Sequence, residues 1–201
     1  MNTKGSKKNI WSYFIWGVLL VVVLIPDTRI FVQRQLMKLG LFRPKLETSA
    51  QQEPEKEQQT ISVTGGPAVS FVDDKGNPVH VRDLKGKVVF INFWATWCPP
   101  CKAEMPSIQK LYDKFKDSGK IEFLLVEIDN NIRGANDFLK GENLDLPIVY
   151  PYSDIPKDWL SDAIPTTVIL DKEGKLIARE QGMRDYSASS VVDFMQNLIN
   201  Q

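Results

Sequence analysis

Cys98 and Cys101 are the only cysteines of the chain, and they stand three residues apart in Ala95-Thr96-Trp97-Cys98-Pro99-Pro100-Cys101. An apolar run, Val88 to Trp94, precedes them, and a helical pattern from Pro99 to about Lys116 follows. A cysteine at the first turn of a helix faces unsatisfied backbone N–H groups and the positive end of the helix dipole. Both stabilise a thiolate and lower its pKa. Proline is tolerated there because its missing N–H would have no intrahelical partner. Cysteines three apart in a helical turn lie on one side, within reach of a mutual disulfide. The chemistry this spacing points to is thiol–disulfide exchange. Cys98 is expected to be the exposed attacking thiol and Cys101 the inner thiol that resolves the mixed disulfide.

Blander readings weigh less. A structural disulfide here closes a loop of four residues, for which chain entropy gives only about 1.9 kcal/mol, against about 3 for a fifteen-residue loop. A zinc site lacks ligands, because His80 is the sole histidine and there is no second cysteine pair. Two unrelated core cysteines remain as the alternative, free cysteine being often buried. Lysine plus arginine equal aspartate plus glutamate at 25 each, so no basic field recommends a nucleic-acid partner. His80, in an alternating strand far along the chain from the cysteines, is assigned nothing.

The elements that must position the pair can be read outward from it. Val88 to Trp94 suits a central buried strand, and Ile121 to Ile128 a second one. Val69 and Phe71, then Val79 and Val81, alternate like two strands around the turn Asp73 to Asn77. Arg133 to Lys140 reads as a helix. Thr167 to Leu170 and Leu176 to Arg179 form a hairpin across Asp171-Lys172-Glu173-Gly174. Ser187 to Ile199 closes the domain as an amphipathic helix with Val191, Val192, Met195, Leu198 and Ile199 inward. Strands alternating with helices and ending in a hairpin predict an α/β domain over 65–201, a mixed central sheet flanked by helices. Pro106, inside the first helix, predicts a kink there.

Ahead of that domain the composition changes. Residues 1–9 form a short tail carrying Lys4, Lys7 and Lys8, and residues 10–26 read as a transmembrane signal-anchor helix. Its uncharged stretch, Ile10 to Ile25, spans roughly 24 Å as a helix, slightly under a bilayer core of about 30 Å. Lysine snorkelling and Trp11, Tyr13 and Trp16 at the interface cover the difference. A cleaved signal peptide is the competing reading, but Val23 to Thr28 offers no small-residue cleavage pattern. Residues 27–64 are a juxtamembrane segment and a polar linker; from Pro44 to Thr64 the linker has a typical reach of roughly 25 Å. Basic residues flank both ends of the anchor, so charge alone does not fix its orientation.

Phe93-Trp94-Ala95-Thr96-Trp97-Cys98-Pro99-Pro100-Cys101-Lys102-Ala103-Glu104-Met105-Pro106 resembles the active-site stretch of TlpA/ResA-like proteins, membrane-anchored members of the thioredoxin superfamily. Ile164-Pro165-Thr166-Thr167 resembles their second signature, a cis-proline loop beside the C-x-x-C. The resemblance covers about 65–201. It implies a thioredoxin-like fold, an extracytoplasmic catalytic domain on the periplasmic side of a membrane, and a reductive role with no cofactor. It also implies client proteins bearing disulfides, an apocytochrome c awaiting haem attachment among them, and a membrane electron donor of the thiol–disulfide relay type. A tethered oxidant and a non-catalytic binding module are the rival functions, and Pro99-Pro100 does not fix the direction of transfer.

The resemblance further implies that Glu104 sits near the thiols and tunes them. Thioredoxins carry a buried aspartate six residues before the first cysteine; Asn92 stands there in this chain and cannot ionise. Acid–base help then falls to Glu104, which would otherwise be a surface group complementing the helix dipole. Trp97, Pro99, Pro100, Ile164 and Pro165 are the expected substrate contacts, Trp97 being equally readable as packing.

Overall fold

A computed structural model describes residues 13, 15–17 and 68–201. Tyr13 and residues 15–17 are helical; the rest of the expected anchor, the basic tail and the juxtamembrane segment and linker lie outside the described residues. Among the described residues, no helix is long and apolar enough to cross a membrane.

From Ser70 onward the chain forms β1 (Ser70–Asp73), β2 (Pro78–His80), β3 (Val88–Trp94), α1 (Pro99–Phe115), β4 (Ile121–Glu127), α2 (Ile132–Glu142), β5 (Ile148–Pro151), β6 (Thr166–Leu170), β7 (Leu176–Gln181) and α3 (Ser189–Asn200). The seven strands make one mixed sheet in the order β2-β1-β5-β4-β3-β6-β7. β3 runs parallel to β4 and antiparallel to β6, and β4 runs parallel to β5. With a neighbour on each edge and layers on each face, all seven residues of β3 are buried. This is why the strand reads as a continuous apolar run and not as an alternating one.

Alternate residues of β3 feed two cores. Val88, Phe90 and Trp94 join a cluster with Cys101, Met105 and Ile108 of α1, Ala135 of α2 and Val191 and Met195 of α3. Val89, Ile91 and Phe93 join the opposite cluster, with Val81 and Trp159. The pair β3 and α1 is therefore fixed from both sides, and the turn between them is where the cysteines emerge.

Several boundaries differ from expectation. Val81 belongs not to a strand but to a 3-10 turn, Val81–Leu84, that buries it under the sheet. Val192 is only half-buried, whereas the other four apolar positions expected to face inward from α3 are buried. Pro106, where a kink is expected, lies inside α1. β5 goes unread in the sequence because its apolar core, Ile148-Val149-Tyr150, is short and bracketed by Pro147 and Pro151. The turn after β1 is closed by Asp73, whose Oδ1 accepts the Lys75 and Asn77 N–H groups, and Gly76 takes the left-handed conformation at φ 85°.

Candidate active site

Cys98 and Cys101 are joined in a disulfide, with Cα atoms 5.3 Å apart. Cys98 is the N-cap of α1, and Pro99 and Pro100 fill the first helical positions. Its Sγ accepts the Cys101 N–H at 3.3 Å, so a backbone donor at the helix start already points at the sulfur that would carry negative charge. Cys98 is not exposed as the spacing alone suggests. It is 3% exposed and Cys101 0%, and both cysteines belong to the buried cluster that β3 and α1 share. The order of accessibility survives; the open placement does not. Once the pair is reduced, iodoacetamide is expected to label Cys98 first and at lower pH than Cys101, as mapped by peptide mass. Faster labelling of Cys101 would reverse the two roles.

Trp97 is 65% exposed while its indole Nε1 donates to Asp129 Oδ2 at 2.6 Å. Ile164–Pro165 is a cis peptide bond. Ile164 packs against the cluster that contains Cys98 and Cys101, and the Pro165 carbonyl accepts the Gly182 N–H at 2.8 Å. The loop before β6 is thus anchored to the end of the hairpin.

Glu104 is fully buried, one helical turn beyond Cys101, a spacing at which side chains on a helix are neighbours. Its Oε1 accepts from Asn92 Nδ2 at 2.8 Å and its Oε2 from the Arg184 N–H at 3.1 Å. Burial pushes the Glu104 carboxyl up to about 8, against these two hydrogen bonds, which lower it. Asn92 Nδ2 also donates to Thr167 Oγ1 at 2.9 Å, and the Tyr186 hydroxyl donates to the same oxygen at 2.6 Å. Burial drives the Tyr186 phenol well above its ordinary pKa, and the nearby Glu104 charge adds to this, so it acts as a fixed donor. Asn92 Oδ1 is buried without a partner. Two donors aimed at Glu104 suit the ionised carboxylate. A half-turn of the Asn92 amide would present Oδ1 to the neutral acid instead, so one side chain can serve both protonation states.

Asn92, standing where thioredoxins carry a buried aspartate, was the sequence signal for this network, with Glu104 as its expected substitute. Thr167, Tyr186 and Arg184 gave none, because they come from elements remote in sequence that only the sheet order unites. Among the described residues, no group of three His, Cys, Asp or Glu side chains could hold a metal ion. His80 lies away from this network, its Nδ1 2.7 Å from Ser70 Oγ.

The sequence pattern of the Redoxin family matches residues 63–193. The thiol-disulfide oxidoreductase ResA of Bacillus thuringiensis subsp. konkukian is 36% identical over 121 residues, covering 59% of this chain and 69% of that protein. ResA of Bacillus subtilis is 35% identical over 138 residues, 67% of this chain and 75% of its own. Among solved structures, a putative thiol-disulfide oxidoreductase from Bacteroides vulgatus matches with a TM-score of 0.55 at 29% identity, over 68% of this chain and 96% of that one. StoA from Bacillus subtilis matches with a TM-score of 0.52 at 26% identity, over 63% and 99%.

Proposed function

From the premise that this chain belongs to the Redoxin family and is a thiol–disulfide oxidoreductase of the ResA type, we propose that it reduces disulfides of extracytoplasmic client proteins through Cys98 and Cys101. The observation that carries this reading is the disulfide at the N-terminus of α1, with the Cys101 N–H aimed at Cys98 Sγ. In the reduced protein the Cys98 thiolate attacks a client disulfide. The client S–S bond breaks, one client sulfur leaves as thiolate, and a mixed disulfide remains. Cys101 loses its proton and attacks Cys98 Sγ, releasing the second client sulfur. Two electrons and two protons pass to the client, and the Cys98–Cys101 disulfide is left. A membrane dithiol donor must then return two electrons for the next cycle.

The buried acid favours this direction. Strongly oxidising pairs owe their potential to a stabilised thiolate in the reduced form. The carboxyl one helical turn beyond the inner thiol does the reverse once it ionises, as pH rises through about 8, since its charge then disfavours a neighbouring thiolate. Equilibrating the pair against glutathione and against dithiothreitol tests the point. A midpoint below that of protein disulfide isomerase, about −180 mV, supports reduction, and one near that of DsbA, about −120 mV, would make the protein an oxidant. Trp97, Pro99, Pro100, Ile164 and Pro165 form the proposed client surface, with loop backbone pairing an extended segment by strand addition. An apocytochrome c, whose own cysteine pair must be reduced before haem attachment, is the client class this reading favours.

The anchor at 10–26 would hold the domain on the periplasmic side, and the absence of a small-residue cleavage pattern supports retention. Protease added to intact spheroplasts is expected to digest residues 65–201 together with an extracytoplasmic control. Protection of the domain while the control is cleaved would overturn the assigned topology.

A further inference from the structure

Glu127 is a second fully buried carboxylate, and the exchange chemistry makes no use of it. It ends β4, opposite Trp94 in the register of the β3–β4 pair, so it lies beneath the loops that leave both strands. An ion buried this way is costly unless its lone pairs are met by donors. Oε1 accepts the Thr96 N–H at 3.3 Å and Oε2 the Asn131 N–H at 2.6 Å. The first donor belongs to the turn that leads into Cys98, and the second to the N-cap of α2.

Three further bonds join the same two segments. The Ile128 N–H donates to the Trp94 carbonyl at 3.0 Å, Asn131 Nδ2 to Thr96 Oγ1 at 2.9 Å, and Trp97 Nε1 to Asp129 Oδ2. Even Gly134 takes part. A Cβ there would stand 2.5 Å from Asn131 Nδ2 and 2.9 Å from Cγ and Oδ1, so the missing side chain is what leaves room for the Asn131 carboxamide. A carboxylate that merely capped α2 would have no need to reach across to Thr96, and an exposed indole tied by its N–H is not free to lie down on the surface.

We propose that Glu127, with Asp129 and Asn131, is a positioning device that fixes Trp97 beside Cys98 as a rigid contact surface for a polypeptide client. The segment 127–131 then sets affinity for a protein disulfide without altering the chemistry of the pair. This rests on the client-reductase reading above. Two variants of the full-length chain separate it from a purely structural role. Glu127→Gln keeps the size of the side chain but offers one acceptor and one NH2 group to two N–H donors, so one tie must break. Gly134→Ala displaces the Asn131 carboxamide while alanine itself favours the helix.

The measurements are steady-state reduction of insulin, as a protein disulfide, and of 5,5'-dithiobis(2-nitrobenzoate), as a small one. Both variants are expected to raise KM for insulin by about tenfold, with kcat and the small-disulfide rate changed by less than about twofold. Trp97 fluorescence anisotropy, taken as the difference from the same variant carrying Trp97→Phe, is expected to fall in both. A lowered melting temperature with unchanged KM and anisotropy would overturn the proposal, as would equal losses on both disulfides. Should Glu127→Gln fail to fold, Gly134→Ala decides alone. An unaltered parent that reduces the small disulfide but not insulin would remove the client reading instead, so the two failures are distinguishable.

Discussion

Cys101→Ser is expected to turn the protein from a catalyst into a trap, with turnover falling on the order of a thousandfold while Cys98 stays reactive. The reasoning follows from the unequal places of the two sulfurs. Cys98 caps α1 and keeps its backbone donor whether or not Cys101 is present, because the hydrogen bond comes from the main chain of residue 101. Its thiolate can still attack a client disulfide, but nothing then attacks Cys98 Sγ, and the mixed disulfide persists. Cys98→Ser removes the first step and should leave neither turnover nor adduct. Non-reducing gels and mass spectrometry of each variant after incubation with an oxidised client read both outcomes. A stable adduct on Cys98→Ser, through Cys101, would reverse the assignment. The fold should barely respond, since the four-residue loop contributes only about 2 kcal/mol by chain entropy.

How much of this was legible in the sequence depends on whether a feature is local. β3 reads cleanly because burial on both faces leaves an unbroken apolar run, and its bounds, Val88–Trp94, match those read from the sequence. α1 likewise announces itself by Pro99-Pro100 at its start. β5 does not, because its three apolar residues make sense only once β4 is beside them. The cysteine pair is local and was readable. The burial of Cys98 was not, since the cluster it joins is assembled from elements remote in sequence.

The polar network around the pair divides in the same way. Asn92 and Glu104 were both visible through the resemblance, one standing where thioredoxins carry an aspartate and the other matching a glutamate expected near the thiols. That they touch depends on α1 folding back over β3. Nothing in the sequence singles out Glu127, which falls inside the second buried strand read there. Only the return of the chain from β4 to the loop under Thr96 makes it a buried clamp, and no spacing rule encodes that return.

Glu104→Gln is where stability and function should part. The folded carboxyl titrates near 8 instead of 4.5, so the native state holds a proton that the unfolded chain gives up across that interval. Stability contributed by the neutral acid is complete below about pH 4.5 and is lost as pH rises through about 8. At about 1.4 kcal/mol per unit, the loss is roughly 3 kcal/mol by pH 7. Glutamine has no proton to lose, so the variant should show a flat profile over that window. Near pH 8 it should be more stable than the parent by about 1–2 kcal/mol, after allowing for an amide that cannot reproduce both acceptor bonds. Urea unfolding at several pH values checks this, and parallel curves would show that Glu104 does not ionise in that range.

Function should move the other way. The inner thiol loses the only carboxyl on its own helical turn, and Asn92 cannot replace it, so resolution of the mixed disulfide is expected to slow by about a hundredfold. Above pH 8 the parent's carboxylate opposes thiolate formation while the variant's amide does not, so the variant's thiols should titrate at lower pH. Whole titration curves are the proper comparison, because three coupled groups share their protons. A side chain that only decorated the first turn of α1 would alter stability by about 0.3–1 kcal/mol and leave thiol titration and exchange rate untouched. The combination of a steadier fold with a slower enzyme is the signature that such a decoration cannot produce.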